Sequence, residues 1–324
     1  MNSTRQHADS PLLEIQDLSL SFHDRRQIAV DRVSLKIKAG STLGLVGASG
    51  AGKSSIARCI VNLAEPDSGE ILFKGEKMSR MDAKQLMAAR RGIQLVFQDP
   101  TASLSPRRTI RQTLLEPLRH FSLGDPDSRN HKVRDVLETV GLDQGALRRY
   151  PHQFSSGQQQ RIAIARAIIT DPELVIADEA VSSLDTSIQA QILGLIQNLQ
   201  TEHGITFLFV SHDLAVIRQI ADEVAVMYRG QLLEQSPADT FFSNPAHPYS
   251  RMMLTFASDD IPANMEGFNW GLDRGRSKSG RSDACVFSGL CREKMPVCER
   301  LEPVKHEIHH KNRHALTPHC VKCH

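Results

Sequence analysis

Residues 47–54 have the types and the spacing of a phosphate-binding loop. They read GASGAGKS and fit the pattern G-x-x-x-x-G-K-[ST]. Glycines let the backbone curl so that consecutive N–H groups converge on phosphate oxygens. We expect Lys53 to reach the β- and γ-phosphates of a nucleotide and the Ser54 hydroxyl to bind Mg²⁺. An apolar run at 43–46 precedes the loop, and apolar residues at helical spacing follow it, which predicts strand, loop and helix in that order.

Two acidic residues follow another apolar run much later in the chain. Residues 174–177 are Leu-Val-Ile-Ala, and Asp178 and Glu179 come next. Ligands of α/β sheets bind beyond the carboxyl ends of the strands. We therefore expect Asp178 to hold Mg²⁺ through water and Glu179 to take the proton from an attacking water. Two solvated acids at a strand end are the alternative. Together with the phosphate loop, the acidic pair indicates a nucleoside triphosphatase, without showing which kind.

The pattern of apolar residues predicts the elements that position these groups. Short apolar runs alternate with helical periodicity, which predicts a parallel sheet covered by helices on both faces. Residues 109–169 are mostly helical in pattern, interrupted by two polar turns, and are predicted to be an insertion into that core. Arg229-Gly230 separates two apolar runs and predicts a hairpin turn. The polar, glycine-containing residues 277–282 predict a linker.

Composition and charge exclude several classes of protein. Of the 324 residues, 40% are hydrophobic, the formal net charge is +2, and there are one Trp and three Tyr. This balance argues against nucleic acid as the main partner. The polar N-terminal residues do not match a secretory signal, and no apolar run approaches the roughly 18 residues of a membrane helix. We therefore expect a soluble, cytoplasmic chain, with any membrane-spanning part on another polypeptide.

Further residues resemble, in type and order, the motifs of ABC transporter ATPases. Residues 154–158, FSSGQ, resemble the family signature Leu-Ser-Gly-Gly-Gln, and residues 183–185 resemble the D-loop. Gln98 is placed like the Q-loop glutamine, His212 like the switch histidine and Phe22 like the aromatic residue that stacks on adenine. The resemblance implies an α/β fold: a P-loop ATPase core with an inserted α-helical subdomain, followed by a small Cys-rich C-terminal extension.

The same resemblance implies a role for each matched residue. Glu179 and His212 are the expected catalytic residues, and Mg²⁺ is expected on Ser54, Gln98 and Asp178. The expected ATP-binding residues are Phe22, Gly47, Ser49, Gly50, Gly52, Lys53, Ser54, Ser55 and Gln98. The residues expected to act on the ATP of a second subunit are Ser155, Ser156, Gly157, Gln158 and Asp185. ATP is thereby expected to lie between two subunits, with hydrolysis releasing them.

Ser156 departs from the family pattern, which usually has glycine at this position. A Cβ atom restricts the backbone and crowds the approach to a phosphate. We hypothesise that the nucleotide site completed by this signature is weaker than the other site of the pair.

Three segments narrow the resemblance to the ATPases of oligopeptide, dipeptide and nickel importers. They are residues 97–107, residues 187–191 and the NPAHPY segment at 244–249. Members of this branch usually continue into a short cysteine-containing tail, as this chain does. The resemblance implies that ATP hydrolysis energises the import of a peptide, nickel or a related small solute.

Five of the six cysteines lie between residues 285 and 323. The resemblance implies an iron–sulfur cluster (4Fe–4S) on Cys285, Cys291, Cys298 and Cys323, with Cys320 extra. Four thiolates also suit a structural zinc ion. Histidines add a zinc or nickel alternative: His306, His309, His310, His314, His319 and His324. Unliganded thiols in a solvated tail are the remaining alternative.

The expected organisation has four parts. The ATPase core occupies residues 1–98 and 168–250, the α-helical subdomain residues 99–167 and the C-terminal extension residues 251–324. Expected partners are two membrane permease subunits, a second ABC ATPase subunit (a paralogue or a second copy) and, indirectly, a solute-binding protein, but no nucleic acid. The expected location is the cytoplasmic face of the inner membrane. Two other functions stay open: a soluble ABC ATPase of DNA repair or translation, and a metal-sensing or redox module.

Overall fold

The structure is a computed structural model of the chain, and it describes residues 11–22, 27–257, 284–308 and 318–324. The linker predicted at 277–282 lies outside the described residues, as do His309, His310 and His314 of the extension. Among the described residues, no helix combines the length and the apolar composition needed to cross a bilayer.

Within the described residues the chain forms twelve β-strands and ten α-helices. The strands are β1 Leu13–Phe22, β2 Gln27–Ile37, β3 Thr42–Val46, β4 Ser68–Phe73, β5 Glu76–Lys77, β6 Ile93–Val96, β7 Leu174–Asp178, β8 Thr206–Ser211, β9 Glu223–Tyr228, β10 Gln231–Pro237, β11 Lys305–Ile308 and β12 His319–Lys322. The helices are α1 Lys53–Ile60, α2 Ala83–Gly92, α3 Pro100–Ser103, α4 Ile110–His120, α5 Pro126–Thr139, α6 Ser156–Ile168, α7 Thr186–His203, α8 Leu214–Ile220, α9 Ala238–Ser243 and α10 Pro248–Ala257.

Side-chain caps begin many of these helices. Thr109 accepts the Gln112 N–H at the start of α4, and Asp125 accepts the amides of two residues at the start of α5. Each cap satisfies a backbone donor that the helix itself leaves unpaired. Thr109 begins the segment predicted to be helical at 109–169, and Asp125 lies in the first of the two polar turns that interrupt it, with a helix on either side.

The chain divides into two compact units. The described residues of the first unit are 11–13, Ile37–Ser41 and Leu72–Val210; those of the second are 14–22, 27–36, Thr42–Ile71, 211–257, 284–308 and 318–324. The domain boundaries expected from the sequence follow a different division and stay predictions.

The first unit contains a parallel sheet in the order β6-β7-β8. Ile93 of β6 lies opposite Leu174 of β7, which in turn lies opposite Thr206 of β8. Strand β8 is buried along its whole length, and β7 is buried up to its last residue, Asp178. Near-continuous apolar strands of this kind are typical of the centre of a parallel sheet. The sheet therefore brings the ends of β6 and β7 side by side.

The second unit contains a mixed sheet in the order β11-β12-β10-β9-β3. Strands β3 and β9 are parallel, and the pair is held in register because Thr42 N–H donates to Asp222 Oδ2 at 2.7 Å. Strands β9 and β10 form the predicted hairpin, with Arg229 and Gly230 at φ 46° and 83°. Two successive positive φ values are typical of the tight turns that suit strand twist. A second sheet, mainly in the same unit, has the neighbours β2-β1-β4.

The described part of the C-terminal extension adds two antiparallel strands to the sheet of the second unit. Strand β12 pairs with β10, and β11 pairs with β12. Strand β11 could not be predicted from a pattern of apolar residues, because its residues are mostly polar and exposed. Although burial raises the pKa of Glu302, hydrogen bonds from Lys322 and Arg32 outweigh it and hold that pKa below its usual range. The contact with Arg32 ties the extension to β2, and the contact with Lys322 joins two parts of the extension itself.

A fully buried carboxylate joins the extension to the residues before α10. Glu234 lies next to an irregularity in the β9–β10 register and is 1% exposed. Its two oxygens accept the N–H groups of Ala246 and His247 at 2.9 and 2.8 Å, and Oε1 contacts His319 Nε2 at 2.8 Å. Burial alone raises the pKa of Glu234, but these hydrogen bonds, together with the Ser250 hydroxyl, lower it overall. A buried charge is tolerated when it is satisfied in this way.

The buried side chain of His247 should make the free energy of unfolding depend on pH. Burial lowers its pKa to about 4, outweighing the attraction of Glu234. Its Nδ1 accepts the Tyr249 N–H at 3.0 Å, so protonation there sets a donor against a donor. In the unfolded chain the pKa is about 6.5. The unfolded state therefore binds more protons between pH 6.5 and 4, and we expect the free energy of unfolding to fall by about 3 kcal/mol across this window as pH decreases.

Urea unfolding between pH 7 and pH 4 measures how the free energy of unfolding changes with pH. The comparison is between wild type and His247→Asn, which retains a hydrogen-bond acceptor but does not titrate. The variant should lose much of the wild-type slope, whereas His203→Asn, at an exposed histidine of α7, should retain it. Equal slopes in wild type and His247→Asn would contradict the assignment.

Candidate functional site

The phosphate loop connects β3 to α1 and depends on two glycines. Gly47 and Gly52 have φ values of 154° and 104°. A Cβ on Gly47 would lie 2.2 Å from the carbonyl oxygen of Met227, and a Cβ on Gly52 would lie 2.2 Å from that of Ala29. Neither backbone atom can yield as the end of a flexible side chain can. The loop therefore requires glycine at both positions, as the sequence pattern indicates.

Lys53 lies under the loop as the first residue of α1. It is only 4% exposed, and its Nζ donates to the carbonyl oxygens of Gly47 and Ala48 at 2.8 and 3.0 Å. Gly52 precedes the helix in a left-handed conformation, and no side chain caps the first turn of α1. The helix N-terminus therefore presents backbone donors and positive potential. Of the remaining predicted ATP-binding residues of the loop, Ser49 and Gly50 are exposed, and Ser54 and Ser55 are half-buried.

Tyr249 contacts the phosphate loop from the second residue of α10. Its hydroxyl oxygen accepts the N–H of Ala48 at 3.3 Å, and its side chain is fully buried. Sequence reasoning assigned no role to Tyr249, although it belongs to the segment at 244–249 that marks the importer branch. No signal in the sequence pairs it with a loop about two hundred positions earlier in the chain.

In the first unit, the ends of β6 and β7 bring Gln98 and Glu179 together. Gln98 follows β6, and its Nε2 donates to Glu179 Oε2 at 2.8 Å. Glu179 directly follows β7, has φ 50° and donates its N–H to Val210 O at 3.0 Å. A left-handed non-glycine residue is uncommon and often belongs to a functional site. Asp178 is the last residue of β7 and is half-buried.

His212 and Phe22 belong to the second unit, together with the phosphate loop. His212 follows the last residue of β8 and is exposed. Asp213 then caps α8 by accepting the Ala215 N–H at 2.8 Å, which ends the loop that contains the histidine. Phe22 ends β1 and is 37% exposed, which leaves part of its ring accessible to a ligand.

The signature residues form the start of α6 in the first unit. Ser155 caps the helix by accepting the Gln158 N–H at 3.3 Å, and the Ser155 N–H in turn donates to Gln158 Oε1 at 3.1 Å. This reciprocal arrangement is a capping box. Ser156 is the first helical residue, is exposed and does not have a positive φ. Its Cβ therefore adds no backbone strain, so of the two effects expected of Ser156 only crowding of the approach to a phosphate still applies.

Gly157 is the glycine of the signature that the fold requires. A Cβ there would lie 2.4 Å from Ile188 Cγ2, in the first turn of α7. Asp185 caps α7, accepting the Ile188 N–H at 3.0 Å and the Ser187 hydroxyl at 2.7 Å. These two bonds lower the pKa of Asp185. The signature and the D-loop thus meet through the contact between α6 and α7.

Sequence reasoning also missed Gln159, which links the signature to the segment after the Q-loop. Its Oε1 accepts the Thr101 hydroxyl at 2.8 Å, while its Nε2 donates to the carbonyls of Pro151 and Phe154 at 3.0 and 3.2 Å. The side chain is 7% exposed. A buried carboxamide with three partners fixes the two segments relative to each other.

The cysteines of the extension lie in the second unit. Burial raises the pKa of Cys323, and the neighbouring thiols of Cys285, Cys291 and Cys298 raise it further, which places the four predicted ligands near one another. In the part of the chain that the structure describes, however, no group of three or more His, Cys, Asp or Glu side chains has an arrangement able to hold a metal ion. The thiols are neighbours without forming a closed ligand set.

Comparisons with known proteins agree with this arrangement. A family model described as "ABC transporter" matches residues 30–182. The oligopeptide transport ATP-binding protein AppF of Bacillus subtilis (strain 168) is 40% identical over 329 residues, covering 97% of both chains. The oligopeptide transport ATP-binding protein OppF of the same organism is 48% identical over 248 residues, covering 75% of this chain and 81% of OppF.

A solved structure gives the same fold. The dimeric post-hydrolysis state of the ATP-binding cassette MJ0796, bound to ADP and Pi, matches with a TM-score of 0.63 and 28% identity over 70% of this chain and 98% of that one. The predicted α/β P-loop fold and the predicted ATPase class are thereby confirmed. The chain belongs to the ABC transporter family, as an ATP-binding subunit whose ATPase activity is coupled to transport.

Proposed function

We propose that this chain hydrolyses ATP to energise the import of short peptides. The bond between Gln98 and Glu179 carries the proposal, because it supports a fixed orientation for the carboxylate that is proposed to activate water. The cargo class rests on AppF and OppF, whose names state oligopeptide transport. Nickel or another small solute is the alternative cargo within the same branch.

The phosphate loop supplies the phosphate-binding part of the proposed site. Lys53 is already oriented by two loop carbonyls, and the uncapped amides of α1 add further donors. A buried ammonium and converging N–H groups are the chemistry that binds a nucleotide's phosphates. Ser54, Gln98 and Asp178 have the oxygen donors that Mg²⁺ prefers, and Mg²⁺ supplies neutralisation of phosphate charge when bound.

Glu179 is proposed as the general base. The carboxamide of Gln98 fixes one carboxylate oxygen, and the backbone bond to Val210 fixes the main chain of the same residue. A base held in one orientation accepts a proton from water more efficiently than a mobile one. His212 is proposed to contact the γ-phosphate, and Phe22 to stack on adenine.

The start of α6 is proposed to bind the γ-phosphate held by a second ATPase subunit. The Ser155 oxygen accepts one bond within the capping box, and its hydroxyl proton can be donated elsewhere. Gly157 leaves room for the side chain of Ile188 in α7, the helix that Asp185 caps, and this supports a joint role for the signature and Asp185. The dimeric state of MJ0796 supports a paired arrangement. Expected partners also include two permease subunits at the cytoplasmic face of the membrane and, indirectly, a solute-binding protein.

Replacing Glu179 tests the proposed chemistry. Glu179→Gln retains the hydrogen-bonding shape but removes the base, so we expect kcat for ATP hydrolysis in the assembled transporter to fall at least a hundredfold. ATP binding should persist, and ATP should now hold two ATPase subunits together. Glu202→Gln, an equal change of charge at an exposed position near the end of α7, should retain wild-type turnover. Hydrolysis at the wild-type rate in Glu179→Gln would contradict the assignment of the base.

We propose in addition that Cys285, Cys291, Cys298 and Cys323 bind an iron–sulfur cluster or zinc. Support comes from the donor type and from the influence of three thiols, those of Cys285, Cys291 and Cys298, on the pKa of Cys323. Their present arrangement does not enclose an ion, so binding requires the thiols to move closer together. The proposed cluster or zinc would have a structural role in the extension.

Anaerobic purification distinguishes the two metals. A cluster should give visible absorption and bound iron, whereas zinc should give bound zinc and no colour. Cys323→Ser should remove the metal, while Cys320→Ser, at the buried fifth cysteine of the extension, should retain it. Wild-type protein without bound iron or zinc would contradict this proposal and leave the ATPase proposal untouched.

A further inference from the structure

Tyr249 links the phosphate loop to the C-terminal extension. It belongs to the NPAHPY segment at 244–249, to which the proposed mechanism of ATP binding and hydrolysis assigns no role. Its side chain is among the largest fully buried ones of the described residues, and its hydroxyl oxygen accepts the Ala48 N–H at 3.3 Å. A buried tyrosine hydroxyl usually has a hydrogen-bond partner, and here a backbone amide of the phosphate loop is such a partner.

Tyr249 and Lys53 together hold one peptide group of the phosphate loop at both its N–H and its carbonyl oxygen. The peptide between Gly47 and Ala48 has its carbonyl oxygen bonded to Lys53 Nζ at 2.8 Å and its N–H bonded to Tyr249 Oη. The next carbonyl, that of Ala48, accepts from Lys53 at 3.0 Å. A peptide group held at both its N–H and its C=O cannot rotate without breaking a bond. Lys53 and Tyr249 together therefore set the path of the loop where it leaves β3.

The ring of Tyr249 is held by an aromatic cluster, defined here as Tyr228, Tyr249 and Phe287. The ring centroid of Tyr249 lies 4.7 Å from that of Tyr228 and 5.4 Å from that of Phe287. The Tyr228 and Phe287 rings meet edge to face at 5.5 Å. Such distances and tilted geometries are those of favourable aromatic pairs. Rotation of the Tyr249 ring would disturb both of its neighbours.

Phe287 is contributed by the C-terminal extension. It is 2% exposed, lies between Cys285 and Cys291 in sequence, and its carbonyl oxygen accepts the Cys291 N–H at 3.1 Å. Its ring also lies 5.8 Å from that of His247. The extension thus inserts an aromatic side chain beside the tyrosine that contacts the phosphate loop, and the turn around the cysteines fixes that side chain.

We propose that Tyr249 is a positioning residue of the nucleotide site, and that Phe287 of the extension keeps its hydroxyl on the Ala48 amide. The proposal rests on the function proposed above for the phosphate loop. Tyr249 orients the loop and does not take part in the chemistry. Its loss should therefore reduce nucleotide affinity and leave the rate of the bound complex almost unchanged. The extension thereby sets the affinity of the nucleotide site.

Tyr249→Phe tests the first part of the proposal, since it removes the hydroxyl and retains the ring. Titration of the purified chain with a fluorescent ATP analogue and Mg²⁺ should show a Kd raised about two- to tenfold, as expected for one net hydrogen bond. The kcat of the assembled transporter should stay within about twofold. Ser250→Ala removes a neighbouring, fully buried hydroxyl and should leave Kd unchanged. A wild-type Kd in Tyr249→Phe, or an equal rise in Ser250→Ala, overturns the proposal.

A double-mutant cycle tests the role of Phe287. Phe287→Leu should raise Kd in the wild-type background and have little further effect in Tyr249→Phe, because its influence passes through the tyrosine hydroxyl. An equal rise in both backgrounds overturns the link to the extension. If the wild-type chain fails to bind the analogue at all, the proposed nucleotide site fails instead, so the two failures are distinguishable.

Discussion

A buried ammonium group is the constraint on which the candidate site depends. Lys53 is almost completely removed from water, and loop carbonyls satisfy part of its hydrogen-bonding capacity. Burying a charge is unfavourable unless its surroundings compensate it. The loop supplies carbonyl dipoles to the ammonium, and an ammonium beside the N-terminus of α1 has the chemistry that binds the oxygens of a polyphosphate. The glycines at 47 and 52 exist because the backbone that surrounds the ammonium passes within van der Waals distance of other backbone.

Several contacts in the second unit connect the phosphate loop to the C-terminal extension. Tyr249 bonds to the same Gly47–Ala48 peptide as Lys53. The aromatic cluster then connects Tyr249 to Phe287 of the extension. Glu234 then fixes the segment before Tyr249 through two backbone amides and contacts His319 of β12. The extension is therefore integrated into the ATPase unit through its sheet and its buried polar contacts.

Much of the fold and the site could be predicted from the sequence, because the decisive features are local. The strand, loop and helix around 47–54, the strand before Asp178 and the Arg229-Gly230 hairpin each follow from short patterns that the structure confirms. Long-range contacts could not be predicted. No local pattern indicates that Tyr249 contacts Ala48 or that Gln98 contacts Glu179. The polar sequence of β11 likewise does not indicate a strand, because β11 forms through its pairing with β12. The helical φ at Ser156 likewise could not be inferred from its departure from glycine.

Thermal unfolding with and without Mg²⁺ and ATP tests the central claim most directly, because a ligand that binds the folded state stabilises it. At an ATP concentration about a hundred times Kd, the wild-type chain should gain about 2.7 kcal/mol and show a clear rise in Tm. Lys53→Ala, compared with its own nucleotide-free baseline, should show almost none of that rise. An equal rise in Tm for Lys53→Ala and wild type, or no rise in wild type, would contradict the account of a loop built around a buried ammonium to hold a nucleotide.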